Sequence, residues 1–333
     1  MAGFRRLAWF ATVLAFCVVV LGAWVRLSDA GLGCPDWPGC YGQLTWPTDA
    51  TEIHKANAEF PDRPYQGNKA WREMVHRYAA GTLGLCILGL AVLAWRRRRA
   101  PGQPWKVPLF LVALVVFQAL LGMWTVTWQL KPLVVMGHLL GGLATLSLLF
   151  WTALRASIAP PGAGWRLRAF VIAALAVLVV QVALGGWTSA NYAALACPDF
   201  PTCHGQWWPE TDFAEGFVPW RGLGVNYEYG VLDAPARTAV HMAHRLGALT
   251  TVAVLGALAI YLLMQGGAWR HAGIVLLVLL ATQVSLGVAN VLLRLPLPVA
   301  DAHNGGAAAL LLLMVWLAHR AFPPPRDSLV QPA

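Results

Sequence analysis

The sequence predicts an all-α polytopic membrane protein: eight transmembrane helices, arranged as two tandem pseudo-symmetric four-helix bundles with both termini cytoplasmic. Three observations predict it. The chain is 58% hydrophobic and only 12% charged, against about 25% charged residues in a soluble domain. Eight apolar runs are long enough to cross about 30 Å of hydrocarbon at roughly 1.5 Å per residue. The second half of the chain also repeats the first, motif for motif.

The first run, 7–27, follows Arg5 and Arg6. It is longer than the apolar region of a signal peptide and has no small-residue cleavage signature, so it is read as a retained helix. Run 72–95 opens with Trp71 to Gly84, which places Glu73 one turn before His76 with Arg77 beside it. The others are 107–128, 132–154, 167–189, 237–264, 270–292 and 298–319. A net charge of +9 invites a nucleic-acid reading. Its placement excludes one: Arg5 and Arg6, Arg96 to Arg99 with Lys106, Arg155 with Arg166 and Arg168, Arg270, and Arg320 with Arg326 all fall on alternate connections. By the positive-inside rule these face the cytoplasm. The long loops 28–70 and 190–236, which carry most of the acids, then lie outside.

The repeat runs through every element. Leu21-Gly22-Ala23-Trp24 matches Leu184-Gly185-Gly186-Trp187, and Cys34-Pro-Asp-Trp-Pro-Gly-Cys40-Tyr-Gly-Gln43 matches Cys197-Pro-Asp-Phe-Pro-Thr-Cys203-His-Gly-Gln206. His76-Arg77 matches His244-Arg245; Gln118 to Gly122 matches Gln283 to Gly287; and His138-Leu-Leu-Gly-Gly matches His303-Asn-Gly-Gly. An even number of helices per half makes the repeat parallel. The halves are 1–158 and 159–333.

The Cys-x5-Cys pairs lie in the outer loops, where disulfides persist, and their prolines favour a tight turn. A disulfide is expected in each, Cys34 with Cys40 and Cys197 with Cys203, as a staple or as a redox pair. Zinc would require the two loops to meet. Cys17 and Cys86 sit in apolar runs and are expected only to pack. Trp71, Trp124, Trp128 and Trp187 read as an interfacial belt. His54, His204, His271 and His319 have no repeated partner, and the stretch Glu210 to Asp233 exceeds what the loop motif requires.

His76, His138, His244 and His303 each fall five to seven residues into a run entered from outside, roughly 7 to 10 Å deep. Intramembrane histidines are functional candidates. One on each even-numbered run of a four-helix bundle suits two axial-ligand pairs, His76 with His138 and His244 with His303, each holding a heme iron. Arg77 and Arg245 are placed to meet heme propionates or to snorkel to headgroups. Where the first half has Glu73 the second has His241. A carboxylate at that depth is costly unless used, which favours chemistry in the first half. The plainer alternative is an acid that is solvated or paired with Arg72.

Together, the two Cys-Pro-Asp loops, Glu73-x-x-His76-Arg77, His138-Leu-Leu-Gly-Gly, His244-Arg245 and His303-Asn-Gly-Gly resemble the heme A synthase family, the bacterial relatives of mitochondrial Cox15. The resemblance covers about residues 7 to 320. It implies an oxidoreductase that converts the C8 methyl of heme O to a formyl group, giving heme A for terminal oxidases. It implies that the first half holds heme O, with Glu73, His76 and His138 catalytic, and that the second holds a resident heme b on His244 and His303. It also implies disulfides within both Cys pairs. The partners implied are heme O, the bilayer, heme O synthase, terminal-oxidase assembly proteins and an electron partner without a name; a homo-oligomer is compatible with the sequence. Two rivals use the same histidines without that chemistry: a di-heme b-type electron-transfer cytochrome, and a heme carrier or assembly factor.

Overall fold

A computed structural model describes residues 2–100, 102–157 and 161–322. Arg326 and the 158/159 boundary between the halves lie outside the described residues. Within them the chain forms ten helices and no strand: α1 (Ala2–Leu27), α2 (Ala50–Glu59), α3 (Gly67–Arg96), α4 (Lys106–Thr127), α5 (Pro132–Arg155), α6 (Trp165–Ala190), α7 (Phe213–Gly216), α8 (Ala234–Gln265), α9 (Gly267–Leu292) and α10 (Leu297–Ala321). The eight long ones coincide with the eight apolar runs.

Four of them begin three or more residues earlier than hydropathy indicates: α1 at Ala2 rather than 7, α3 at Gly67 rather than 72, α8 at Ala234 rather than 237 and α9 at Gly267 rather than 270. The first turns of α3 and α8 are tied to the loops, with Ala70 and Ala236 fully buried in small apolar clusters. Asp233 caps α8, its carboxylate accepting from Ala236 N at 3.0 Å, with Pro235 in the first turn. At α3 the preceding loop lies directly on the helix: a Cβ at Gly33 would stand 2.5 Å from the Lys69 carbonyl carbon, so only glycine fits. The short α2 is started by Asp49, which accepts from Thr51 N and Glu52 N, each at 2.9 Å.

The long helices close into two rings of the same order. In the first, α1 and α4 each pack on α3 and α5; in the second, α6 and α9 each pack on α8 and α10. Among the described residues the backbones of α3 and α5, and of α8 and α10, do not meet, so these pairs stand diagonally across their rings. The rings meet where α1 packs on α10 and α5 packs on α6 and α10. One continuous apolar core runs through both, including Ile87, Leu146, Leu149, Val171, Leu258 and Met314.

The outer surface is just as apolar. Phe10, Val13, Leu85, Val180, Leu249 and Ile260 are exposed, and the most apolar window of each span is only 22% to 33% buried. An apolar surface of that extent is unsuited to water and matches lipid, where each helix satisfies its own backbone. The protein is a multi-pass membrane protein.

Helices α1, α4, α6 and α9 end alike. Asp29, Gln129, Tyr192 and Arg294 take left-handed φ values of 51°, 48°, 53° and 59°. The following N–H bonds back five residues: Ala30 to Val25 O (3.0 Å), Leu130 to Thr125 O (2.8 Å), Ala193 to Thr188 O (3.0 Å) and Leu295 to Asn290 O (2.7 Å). This is the helix stop of the Schellman type. It fixes the same end point on four helices, at the face carrying the long loops.

Candidate functional site

Seven residues before each of those stops stands a glycine: Gly22, Gly122, Gly185 and Gly287. Each faces a histidine on the next long helix. A Cβ there would lie 2.8 Å from His76 Cε1, 3.4 Å from His138 Cε1, 3.1 Å from His244 Cε1 and 3.1 Å from His303 Cε1, respectively. The glycines therefore make room for the imidazoles, and the common spacing sets all four rings about 10 Å below the loop-side helix ends.

The four histidines form two pairs across the ring diagonals. His76 on α3 and His138 on α5 are close enough to interact electrostatically, as are His244 on α8 and His303 on α10. Nδ1 of His76, His138 and His303 is buried without a hydrogen-bond partner, although each side chain is only half-buried. Idle buried nitrogens are costly unless something else engages the ring. Among the described residues no three His, Cys, Asp or Glu side chains gather as ligands for a bare ion. Two imidazoles converging from diagonal helices instead fit a planar iron macrocycle held from both faces.

Above each pair sits a loop built to one plan. Cys34–Cys40 and Cys197–Cys203 are disulfides. Cys40 and Gln43 exchange backbone bonds of 2.8 and 3.1 Å, as do Cys203 and Gln206 at 2.9 and 3.1 Å. The turn residues Tyr41 and Gly42 have φ values of 54° and 75°, and His204 and Gly205 54° and 72°. Two successive positive φ values mark a type I′ turn, and the Gly in each motif serves its second position. Asp36 accepts from Tyr41 N (2.6 Å) and Gly42 N (2.9 Å); Asp199 accepts from His204 N (2.6 Å), Gly205 N (3.0 Å) and the Thr202 hydroxyl (2.5 Å). The Thr202 hydroxyl, joined by these amides, pulls the Asp199 carboxyl down to about 2.

Each loop is fastened to the histidine helix by the two residues flanking that histidine. Glu73 Oε2 accepts from Cys34 N at 2.9 Å, and its Oε1 pairs with Arg77 Nη2 at 2.5 Å. Arg77 Nη1 then donates to the carbonyls of Asp36 (3.0 Å), Pro38 (3.2 Å) and Gly39. In the second half His241 Nδ1 accepts from Cys197 N at 3.2 Å, and Arg245 donates to the carbonyls of Asp199 (2.6 Å) and Thr202 (2.8 Å). Glu73 and His241, 5% and 4% exposed, thus perform the same task with different chemistry. The partner of Glu73 is Arg77, whereas Arg72 lies over the Trp24 ring at 4.9 Å. The guanidiniums of Arg77 and Arg245, expected at propionates or headgroups, are directed into the loops.

The unassigned stretch Glu210 to Asp233 is a strap from the second half across the first. Trp187, expected in an interfacial belt, is buried and donates to Gly216 O at 2.9 Å. Farther along, Lys131 reaches Gly222 O and stands 3.2 Å from the centre of the Trp220 ring. Tyr227 N donates to Gln129 O at 3.0 Å, and Glu228 pairs with Arg63 and Lys69, each at 3.9 Å. Lys131 is 1% exposed, and burial pushes its ammonium below the ordinary lysine value. Of the histidines without a repeated partner, His54 is exposed on α2, His204 occupies the turn, His271 contacts Gly267 O at 3.2 Å, and His319 packs edge-on against Trp151.

The sequence as a whole matches known proteins. A family model, COX15-CtaA, described as cytochrome oxidase assembly protein, matches residues 5–315. The chain is 46% identical over 319 residues to a heme A synthase of Shewanella oneidensis, covering 94% of this chain and 96% of that one. It is 28% identical over 340 residues to a heme A synthase of Caulobacter vibrioides, covering 95% of each. It is 27% identical over 318 residues to one of Halalkalibacterium halodurans, covering 90% of this chain and 91% of the relative.

Proposed function

The chain belongs to the COX15-CtaA family, and from that premise we propose that it is a heme A synthase, oxidising the C8 methyl of heme O to the formyl group of heme A. The observation that carries the proposal is the pair of diagonal histidine sites, with Nδ1 of His76, His138 and His303 buried and without a hydrogen-bond partner.

In this reading residues 1–158 form the catalytic half, where heme O binds as substrate between His76 and His138. Residues 159–333 hold a resident heme b on His244 and His303, and that group supplies reversible one-electron chemistry when bound. The imidazoles fix the macrocycle's position, and Gly22, Gly122, Gly185 and Gly287 leave the space for them to do so. Glu73 stands one turn above His76 on the same helix face. Its charge is held in place by Cys34 N and Arg77, where it can stabilise positive charge developing at the substrate edge or take up a proton. Arg77 is the cation paired with it. The lysines and arginines at the opposite end of the bundle support placing the loops on the periplasmic side of the inner membrane.

Co-expression with a heme O synthase in cells that otherwise make no heme A, followed by heme extraction, tests the activity. A formyl-bearing heme is expected only when this chain is present. Its absence under aeration would overturn the proposal and favour a di-heme cytochrome or heme carrier.

A further inference from the structure

Withdrawing a charge from water is costly unless the charge is paired, and at the loop side of the molecule almost every partly buried cation is. Arg77 and Arg245 hold loop carbonyls, Arg63 and Lys69 meet Glu228, and Lys131 reaches Gly222 O. Arg26 donates to Ser189 O at 2.6 Å, and Arg221 pairs with Glu215 at 2.5 Å. Two remain, Arg72 and Arg237. Each is half-buried, and each has its Nε buried without a hydrogen-bond partner. Among the described residues neither guanidinium has a carboxylate partner.

These two stand one in each half, both on a helix that carries a paired histidine. Arg72 precedes His76 on α3 by four residues, and Arg237 precedes His244 on α8 by seven. Both offsets return to the histidine's face of the helix, one and two turns nearer the loops. The guanidinium carbon of Arg72 lies 4.9 Å from the centre of the Trp24 ring, and Trp24 stands two residues past the glycine that faces His76. Arg72 is thereby held at the seam of α1 and α3, on the loop side of the His76 ring. The duplication alone does not account for this arrangement. Arg72 aligns with Val240, which is apolar and buried, and Arg237 aligns with Lys69, which Glu228 of the strap engages. Each half therefore keeps one unpaired guanidinium, at a different position.

We propose that Arg72 and Arg237 bind the carboxylates of the tetrapyrroles held by their halves, the propionates of the substrate heme at Arg72 and those of the resident heme at Arg237. Arg77 and Arg245 leave that task open, because loop carbonyls engage them. A guanidinium meets a carboxylate through two parallel N–H bonds, a contact stronger than a neutral hydrogen bond and one that lysine does not reproduce. The arginine adds orientation to affinity: the imidazoles hold the iron, and the guanidinium selects the edge of the ring that faces the loops. The phosphate of a lipid headgroup offers a guanidinium the same chemistry, and the experiment separates the two sources. The proposal rests on the heme reading of the four histidines.

The test titrates full-length protein, purified from heme-limited cells, with hemin and with hemin dimethyl ester, which keeps the iron and the ring but has no free carboxylate. Heme absorbance reads the binding. His244→Ala confines binding to the first-half site, and His76→Ala confines it to the second. In each background hemin is expected to bind more tightly than its ester. Arg72→Met is expected to weaken hemin binding at the first site about 10- to 100-fold, the scale of one charged hydrogen-bonded contact, and to leave the ester unaffected. Arg237→Met should do the same at the second site, and Arg72→Lys should restore only part of the loss. Equal weakening of both ligands would reduce the arginines to supports of the fold. Unchanged hemin binding, or no preference for hemin over its ester before substitution, would leave them to lipid phosphate or water. Each of these results overturns the proposal. Protein that binds neither ligand in dependence on His76 or His244 would overturn the heme reading itself.

Discussion

The loop anchors of the two halves share one geometry and differ in charge. In each, a side chain three residues before the histidine accepts the N–H of the loop's first cysteine, and an arginine one residue after it gathers the loop carbonyls. The first half uses a carboxylate, which is itself paired with its arginine. The second uses an imidazole, which leaves Arg245 to the carbonyls. Anchoring the loop therefore does not require an acid, because His241 does it without one. The charge at Glu73 is what the shared task leaves unexplained, and it lies over the half assigned the chemistry.

Breaking the two anchors should separate these roles, and the largest effect is expected at Glu73. Glu73→Ala strands a mostly buried guanidinium and leaves Cys34 N–H without an acceptor, and breaking such a pair costs on the order of 3 to 5 kcal/mol. His241→Ala loses one neutral hydrogen bond, about 1 to 3 kcal/mol when a buried donor is left unmade. Denaturant unfolding in detergent should rank the first far above the second. Because Glu73→Ala also disturbs the loop, Glu73→Gln is the cleaner probe of chemistry: its amide oxygen still accepts from Cys34 N and its charge is gone. Heme A production is expected to fall about 100-fold or more in Glu73→Gln, the scale on which a positioned acid or base contributes. Normal production by a folded Glu73→Gln protein would reduce Glu73 to an anchor like His241.

A smaller effect is expected where the halves are tied together. Lys131 belongs to the first half, and its contacts with Gly222 and Trp220 belong to the strap of the second. Lys131→Met keeps the buried stem and removes the ammonium, a loss of roughly 1 to 2 kcal/mol for a desolvated cation over an aromatic ring. Amide exchange should quicken in 220–228 and remain unchanged in the loop 197–206, which has its own disulfide. Uniform quickening would mean that the strap and the second loop form one unit.

Much of this was legible in the sequence because membrane helices and a duplicated chain leave strong patterns. All eight spans, both disulfides and the pairing of histidines between helices follow from hydropathy, from Cys-x5-Cys and from His76, His138, His244 and His303 recurring at one depth. Hydropathy could not show the first turns of α3 and α8, since α8 is capped by Asp233 and α3 is met by the loop at Gly33. The role of Glu73 as an acceptor for Cys34 N–H was hidden because its partner is a backbone group 39 residues away. The strap was illegible for the opposite reason: residues 210–233 share no motif with the corresponding loop of the first half, so no repeat pointed to Gln129 and Lys131 as their landing site.

The smallest expected effect also comes from a single difference between the loops: Thr202 stands in the second where Gly39 stands in the first. The Thr202 hydroxyl donates to Asp199, and with the amides of Gly205 and His204 it holds that carboxyl down to about 2. A carboxyl with a folded value below its ordinary 3.8 stabilises the fold when ionised. Its contribution is therefore complete above pH of about 4 and is lost as pH falls toward about 2. Thr202→Gly should bring the Asp199 value back toward 3.8, narrowing that window from its acid end. Carboxyl titration by NMR in the detergent-solubilised protein would follow it directly, with the His204 and Gly205 amides as reporters. Those amides should begin to exchange faster at a higher pH in Thr202→Gly than in the wild type. Unchanged midpoints would assign the depression to the turn amides alone, and the hydroxyl would then add nothing to the second loop that Gly39 denies the first.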